Sequence, residues 1–74
     1  MAALTERGRR VSLRDHAERA GCTEAEVEAV VLHDLGWGYR RIAAHQGVSM
    51  TTTRDRVRRA AQRIEQAKRR DGEA

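Results

Sequence analysis

The run YRRIAAHQGVSMTTTRDRV, residues Tyr39–Val57, decides the fold of this chain. Ala43 is small enough to let two helices cross closely, and Gly47 tolerates the positive φ that a tight turn between them requires. Val48 then supplies an apolar side chain for the corner, and Ser49 is a good cap for a following helix. This order of small, glycine, apolar and serine residues predicts a helix-turn-helix.

Two capping patterns precede that run. Ser12 followed by Asp15 is a variant of the N-terminal capping box, and Thr23 with Glu26 is a complete one. They predict one helix that ends near Ala20, where Gly21 supplies a left-handed stop, and a second helix over about 24–35. The apolar face of the second helix is predicted to comprise Val27, Val30, Val31 and Leu35.

The motif itself contributes two further helices, one over about 39–46 and a long one from the Ser49 cap to about Arg69. Projected at 100° per residue, one side of the long helix is small and apolar, and the other is rich in Thr, Arg and Gln. The apolar stripe consists of Met50, Thr53, Val57, Ala60, Ala61, Ile64 and Ala67. The opposite side consists of Thr51, Arg54, Asp55, Arg58 and Gln62.

Length and composition limit the classes of protein to consider. A chain of 74 residues buries only about 60% of its unfolded surface, which argues against a deep cavity and therefore against an enzyme or a small-molecule binder. No apolar run approaches the roughly 18 residues of a membrane span, and a single cysteine fits a reducing compartment. We therefore expect one all-α domain over 12–69 without a cofactor, flanked by a flexible arm over 1–11 and a flexible tail over 70–74.

Charge is distributed unevenly along the chain. Residues 20–37 contain four acidic residues and no Lys or Arg, whereas residues 54–70 contain eight basic and two acidic residues, a local charge of +6. Such a division is typical of a protein in which one end binds a polyanion and the rest of the domain is neutral or acidic. The alternative interpretation of the basic run is a solvated helix face.

The chain resembles the helix-turn-helix of sigma-70 region 4 and the related response-regulator output domains. The resemblance covers about residues 13–67, and its centre is the match at Ile42–Ala43 and Gly47–Ser49. Further matches are Gly36–Tyr39 before the motif and Thr52, Arg56, Val57, Arg59 and Ala60 in the second helix. The structural residues of the motif are Ile42, Ala43, Gly47, Val48 and Val57.

Three positions depart from the family pattern. Thr53 replaces an apolar β-branched residue, and Gln46 stands where Leu is usual, so both are expected to weaken the core. Gly38 replaces the Ser that caps the first helix of the motif, at a cost of only a few tenths of a kcal/mol. With the small size of the chain, these departures favour a dimer or a partner-stabilised state.

The resemblance implies that the long helix lies in the major groove of double-stranded DNA. The helical projection independently gives the candidate base contacts as Thr51, Arg54, Asp55 and Arg58. Asp55 either accepts from a cytosine amino group or pairs with Arg58 or Arg59 one turn away. Candidate phosphate contacts are Arg40, Arg41, Ser49, Thr52, Arg56 and Arg59.

The function expected on this basis is sequence-specific DNA binding by a small bacterial or bacteriophage transcriptional regulator, in the cytoplasm and on the nucleoid. One rival is a module that contacts RNA polymerase through Glu24, Glu26 and Glu28, as the family resemblance allows. Another is a phage architectural or terminase-like DNA-binding protein, with weak sequence preference and a steep salt dependence.

Three further features have competing interpretations. Trp37 and Tyr39 either pack the corner of the motif, which we favour, or stack on bases of a single strand. The turns from Ile64 to Arg70 extend past the motif and are compatible with a homodimer. No metal site is expected, since the spacing of the candidate ligands is unlike that of known sites. Those candidates are His16, Cys22, His33 and His45.

Overall fold

The structure, a computed structural model, describes residues 12–73. Within this range the chain forms four helices and no strand, which confirms the all-α prediction. The predicted N-terminal arm over 1–11 lies outside the described residues. None of the described helices has the length and apolar character needed to cross a membrane. The helices are α1 (Leu13–Arg19), α2 (Glu24–Asp34), α3 (Tyr39–Gln46) and α4 (Met50–Glu73).

The first two helices begin at the predicted caps. The Ser12 hydroxyl accepts from the amide of Asp15 at 3.2 Å. The capping box is reciprocal, because the Thr23 hydroxyl accepts from the Glu26 amide at 3.1 Å while the Glu26 carboxylate accepts from the Thr23 amide at 2.9 Å. After α1, Gly21 has the left-handed φ of 88° that the sequence predicts.

The turn between α3 and α4 has the predicted form. Gly47 adopts a left-handed conformation with φ 69° and ψ 35°, and the Val48 amide donates to the Ala43 carbonyl at 3.0 Å. The Ser49 hydroxyl accepts from the amide of Thr52 at 3.1 Å, as a helix cap does. The fourth helix continues to Glu73 instead of ending near Arg69, because neither Gly nor Pro interrupts the sequence before Gly72.

The core forms where α1, α2 and α3 pack on one side of α4. Ile42 and Ala17 are completely buried, and so is the side chain of Thr53. Val48 is only half-buried at the corner it was expected to fill. The apolar core consists of Ala17, Val27, Ala29, Val30, Ile42, Val57, Ala60 and Ile64.

Three apolar residues assigned to the core by periodicity are exposed, so those assignments were wrong. Leu35 is 70% exposed because α2 ends before it. Met50 is 37% exposed and Ala61 is also exposed, since the other helices cover a narrower strip of α4 than the projected stripe. The buried positions of α4 are the centre of that stripe, namely Thr53, Val57, Ala60 and Ile64.

Candidate nucleic-acid interface

The candidate base contacts lie on the side of α4 that faces away from the core. Thr51, Arg54 and Arg58 are exposed, and Asp55 is half-buried. We call these four residues the α4 face. The helical spacing of Thr53 and Val57, which are buried on the opposite side, directs the α4 face into solvent.

Asp55 forms one of the two contacts considered for it. Its carboxylate accepts from Nη2 of Arg58 at 2.7 Å, across three residues of the helix. Both side chains keep a large exposed fraction, 67% for Arg58 and 41% for Asp55, so the pair is in contact with solvent. Such a pair stabilises the helix only slightly, but it restrains the guanidinium of Arg58.

Two aromatic rings at the start of α3 lie beside arginines. The Arg41 guanidinium carbon is 3.8 Å from the centroid of the Trp37 ring, and that of Arg54 is 5.5 Å from the centroid of the Tyr39 ring. His33 stacks on Tyr39 with centroids 4.8 Å apart and planes 9° apart. Both aromatic rings also pack against the apolar core. This arrangement supports the packing interpretation of the two aromatics.

Some candidate phosphate contacts are accessible to solvent, and others are already hydrogen-bonded within the protein. Arg40 and Arg59 are exposed side chains near the start of α3 and on α4. The hydroxyl of Ser49 donates to that of Thr52 at 3.0 Å at the exposed N-terminus of α4. Arg56, by contrast, is half-buried and engaged within the protein.

Gln46 is the residue that engages Arg56. Its carbonyl oxygen accepts from Nη1 of Arg56 at 2.8 Å, while its amide donates to the Ala25 carbonyl at 3.1 Å and to the Glu28 carboxylate at 2.9 Å. Gln46 thus links α2, α3 and α4 through three hydrogen bonds. Because Gln46 stands where the family pattern has Leu, it was expected to weaken the core. In the structure its side chain is instead fully hydrogen-bonded, and we call this contact between the three helices the Gln46 joint.

Glu28 completes this joint. Its second carboxylate oxygen lies 3.3 Å from Nε2 of His45. The hydrogen bond from Gln46 lowers the pKa of the Glu28 carboxyl below its usual value, and His45 lowers it further, against the opposing effect of partial burial. Glu28 is therefore held as a carboxylate bonded to Gln46 and His45 of α3, although 43% of its side chain stays exposed.

Glu26 is a buried carboxylate that sequence reasoning placed on the surface. Only 6% of it is exposed, and Nη1 of Arg63 donates to it at 2.7 Å and to the Gly21 carbonyl at 3.2 Å. The assignment of Glu26 to an acidic contact surface was therefore wrong. The capping box predicts that Glu26 bonds back to the Thr23 amide, but it does not predict burial. The sequence carries no local signal for the burial, because the cation that meets Glu26 is 37 residues away.

The histidines and the cysteine do not converge. Among residues 12–73, no group of three or more His, Cys, Asp or Glu side chains is close enough to hold a metal ion. Cys22 packs against the core, and its thiol lies 4.0 Å from the Ala60 carbonyl. Burial, followed by the charge of Glu26, raises the pKa of this thiol, so it stays protonated at neutral pH.

Comparison of the chain with protein-family models, with curated proteins and with solved structures finds no match.

Proposed function

We propose that this chain binds double-stranded DNA by inserting the N-terminal half of α4 into the major groove. The observation that carries the proposal is the α4 face itself. It presents two arginines and a threonine on a helix whose opposite side is packed on the core. The major groove admits one α-helix, and an arginine fork matches the O6 and N7 acceptors of guanine.

Phosphate contacts on either side of α4 would orient it. The hydroxyls of the exposed Ser49 and the half-buried Thr52 lie at the N-terminus of α4, where the helix dipole favours an anion. Arg40 precedes this end on α3, and Arg59 follows on α4. Such contacts set the register of a protein on DNA, and the α4 face would then read the bases.

The biological role that we propose is sequence-specific transcriptional regulation in a bacterium or a bacteriophage, with the protein in the cytoplasm at the nucleoid. It is supported by the resemblance of Tyr39–Val57 to sigma-70 region 4. The rival role, contact with RNA polymerase through α2, has less support. Glu26 is buried against Arg63, and Glu28 is bonded to Gln46.

Selection of binding sites from random duplex DNA, followed by affinity measurements at two salt concentrations, tests the proposal. We expect a defined motif whose affinity exceeds that of random duplex by a factor of about 10³ or more. If no motif is enriched and binding disappears as salt rises, the protein binds DNA without reading its sequence, as an architectural protein does. No binding to duplex DNA at low salt would contradict the proposal as a whole.

Three arginine variants test whether the α4 face makes the base contacts. Arg54→Ala and Arg58→Ala should each relax the preference at one base pair, by about 1–3 kcal/mol. Arg69→Ala is the matched control, because Arg69 is an exposed arginine of the same helix beyond the α4 face. Equal losses in all three variants would indicate a nonspecific charge effect and would contradict base reading by the α4 face.

A further inference from the structure

We propose that Tyr39 is a positioning residue for Arg54, and that it sets the specificity of the base contact made by this arginine. The inference rests on the proposed function, because it concerns how the α4 face reads DNA. Its starting point is the Arg54 guanidinium, 5.5 Å from the centroid of the Tyr39 ring. This distance is within the range of about 6 Å over which a cation is attracted to an aromatic face.

The Tyr39 ring is well placed to restrain a flexible neighbour. It packs against the apolar core, and the ring of His33 stacks on it at 4.8 Å with nearly parallel planes. His33 belongs to the last turn of α2, Tyr39 begins α3, and Arg54 belongs to the first turns of α4. Three helices therefore meet in one stack, in which Tyr39 is half-buried and both His33 and Arg54 are exposed.

Restraint of Arg54 before binding would lower the cost of reading a base. Immobilising a long side chain in an interface lowers affinity by about 2- to 10-fold, and a side chain that is already restrained avoids part of this loss. Arg58 has a separate restraint, its ion pair with Asp55 at 2.7 Å. Each arginine of the α4 face thus has its own partner, aromatic for one and acidic for the other.

A double-mutant cycle on DNA binding tests this pairing. The affinities of wild type, Tyr39→Leu, Arg54→Ala and the double variant are measured for the selected duplex and for its single base-pair substitutions. We expect Tyr39→Leu to reduce discrimination by about 2- to 10-fold at the base pair that Arg54 reads. We expect no further loss when the same change is made in the Arg54→Ala background.

Two controls distinguish the positioning of Arg54 by Tyr39 from a general loss of structure or of DNA binding. Tyr39→Phe keeps the aromatic ring and should retain the discrimination of wild type. Discrimination at the base pair read by Arg58 should survive Tyr39→Leu, because Arg58 is restrained by Asp55. Equal losses at both base pairs, or additive effects of Tyr39→Leu and Arg54→Ala, would overturn the inference. Tighter binding by Tyr39→Leu would overturn it as well, since the ring would then hold Arg54 away from DNA.

A measurement on the DNA-free protein covers the case in which Tyr39→Leu fails to fold. The ring resonances of Tyr39 are compared by NMR in wild type, Arg54→Ala and Arg58→Ala, both of which change exposed residues. We expect the ring to respond to Arg54→Ala and not to Arg58→Ala, and the opposite result would overturn the inference. Absence of duplex binding by wild type would instead overturn the proposed function, so the two failures are distinguishable.

Discussion

Thr53 is the residue at which the fold departs most clearly from good packing chemistry. Its side chain is completely buried, and its hydroxyl has no hydrogen-bond partner among the described residues. A buried polar group without a partner costs about 1–3 kcal/mol. Thr53→Val removes the hydroxyl and keeps the branched shape, so we expect the free energy of unfolding to rise by about 1–2 kcal/mol. Urea denaturation measures this change, which appears as a higher midpoint concentration with an unchanged m-value.

The matched control for this change is Thr52→Val. Thr52 is the preceding residue of the same helix, but its hydroxyl accepts from Ser49 at 3.0 Å and it is only half-buried. No gain in stability is expected there. A loss of stability in Thr53→Val would contradict the account, because it would mean that the buried hydroxyl contributes to the fold.

The ion pair between Glu26 and Arg63 leads to a second prediction at the scale of single residues. Arg63→Ala leaves a carboxylate that is 6% exposed without its cation. An uncompensated buried charge is costly, and the partial exposure of Arg63 reduces that cost, so we expect a loss of about 1–3 kcal/mol. Arg69→Ala is the control, since its pair with Glu65 is exposed and 3.8 Å long. That change should cost less than about 0.5 kcal/mol.

Thermal or urea unfolding of both variants checks this prediction. Equal effects of Arg63→Ala and Arg69→Ala would contradict it. The sequence alone predicts that Glu26 forms a capping box with Thr23, but it does not predict which cation Glu26 meets. Arg63 is 37 residues away along the chain, and no local spacing indicates that the two side chains meet.

At the scale of elements, the joint between α2, α3 and α4 predicts a pH dependence of stability. The hydrogen bond from Gln46 lowers the pKa of Glu28 in the folded state below its usual value of 4.5. A lowered folded pKa stabilises the protein above the unfolded pKa, and this stabilisation is lost as pH falls through the folded value. We expect Glu28→Gln, which keeps an acceptor for Gln46, to flatten the decline of stability below about pH 4.5.

Stability curves against pH for wild type, Glu28→Gln and Glu65→Gln provide the measurement. Glu65 is a suitable control, because it is exposed and makes only a long ion pair with Arg69. Its replacement should leave the acid limb unchanged. If the curve of Glu28→Gln ran parallel to that of wild type, the Gln46 joint would not be formed in solution.

The elements themselves were largely predictable from the sequence. Helix starts were correct at Ser12, Thr23 and Ser49, since each cap is a local hydrogen bond between nearby residues. The end of α4 was predicted too early, although no Gly or Pro interrupts the sequence between Ser49 and Gly72. The exposure of Leu35 was missed because α2 ends at Asp34, just before it. The role of Gln46 was also missed, since its three partners belong to two other helices.

At the scale of the whole molecule, the basic residues around α4 predict how DNA affinity depends on salt. Each phosphate neutralised contributes about −0.9 to the slope of log K against log salt. Arg40 and Arg59 are exposed, so Arg40→Ala and Arg59→Ala should each reduce the slope by about this amount. Arg56→Ala should reduce it less, because Gln46 engages the Arg56 guanidinium.

Fluorescence anisotropy with a labelled duplex over a series of salt concentrations gives these slopes. Arg69→Ala should leave the slope unchanged, because Arg69 lies beyond the proposed interface. A slope that changed equally with all four arginines would mean that DNA does not lie against the N-terminal half of α4. The exposed positions of Arg40 and Arg59 were predictable from the sequence, whereas the engagement of Arg56 was not.

The most direct test of the central claim is an NMR titration of the protein with the selected duplex, or with a short random duplex if selection gives no motif. The account predicts that the largest shift changes occur at Thr51, Arg54 and Arg58, with smaller changes at Arg40 and at the N-terminus of α4. Shifts confined to α1 and α2, or no shifts at low salt, would contradict it.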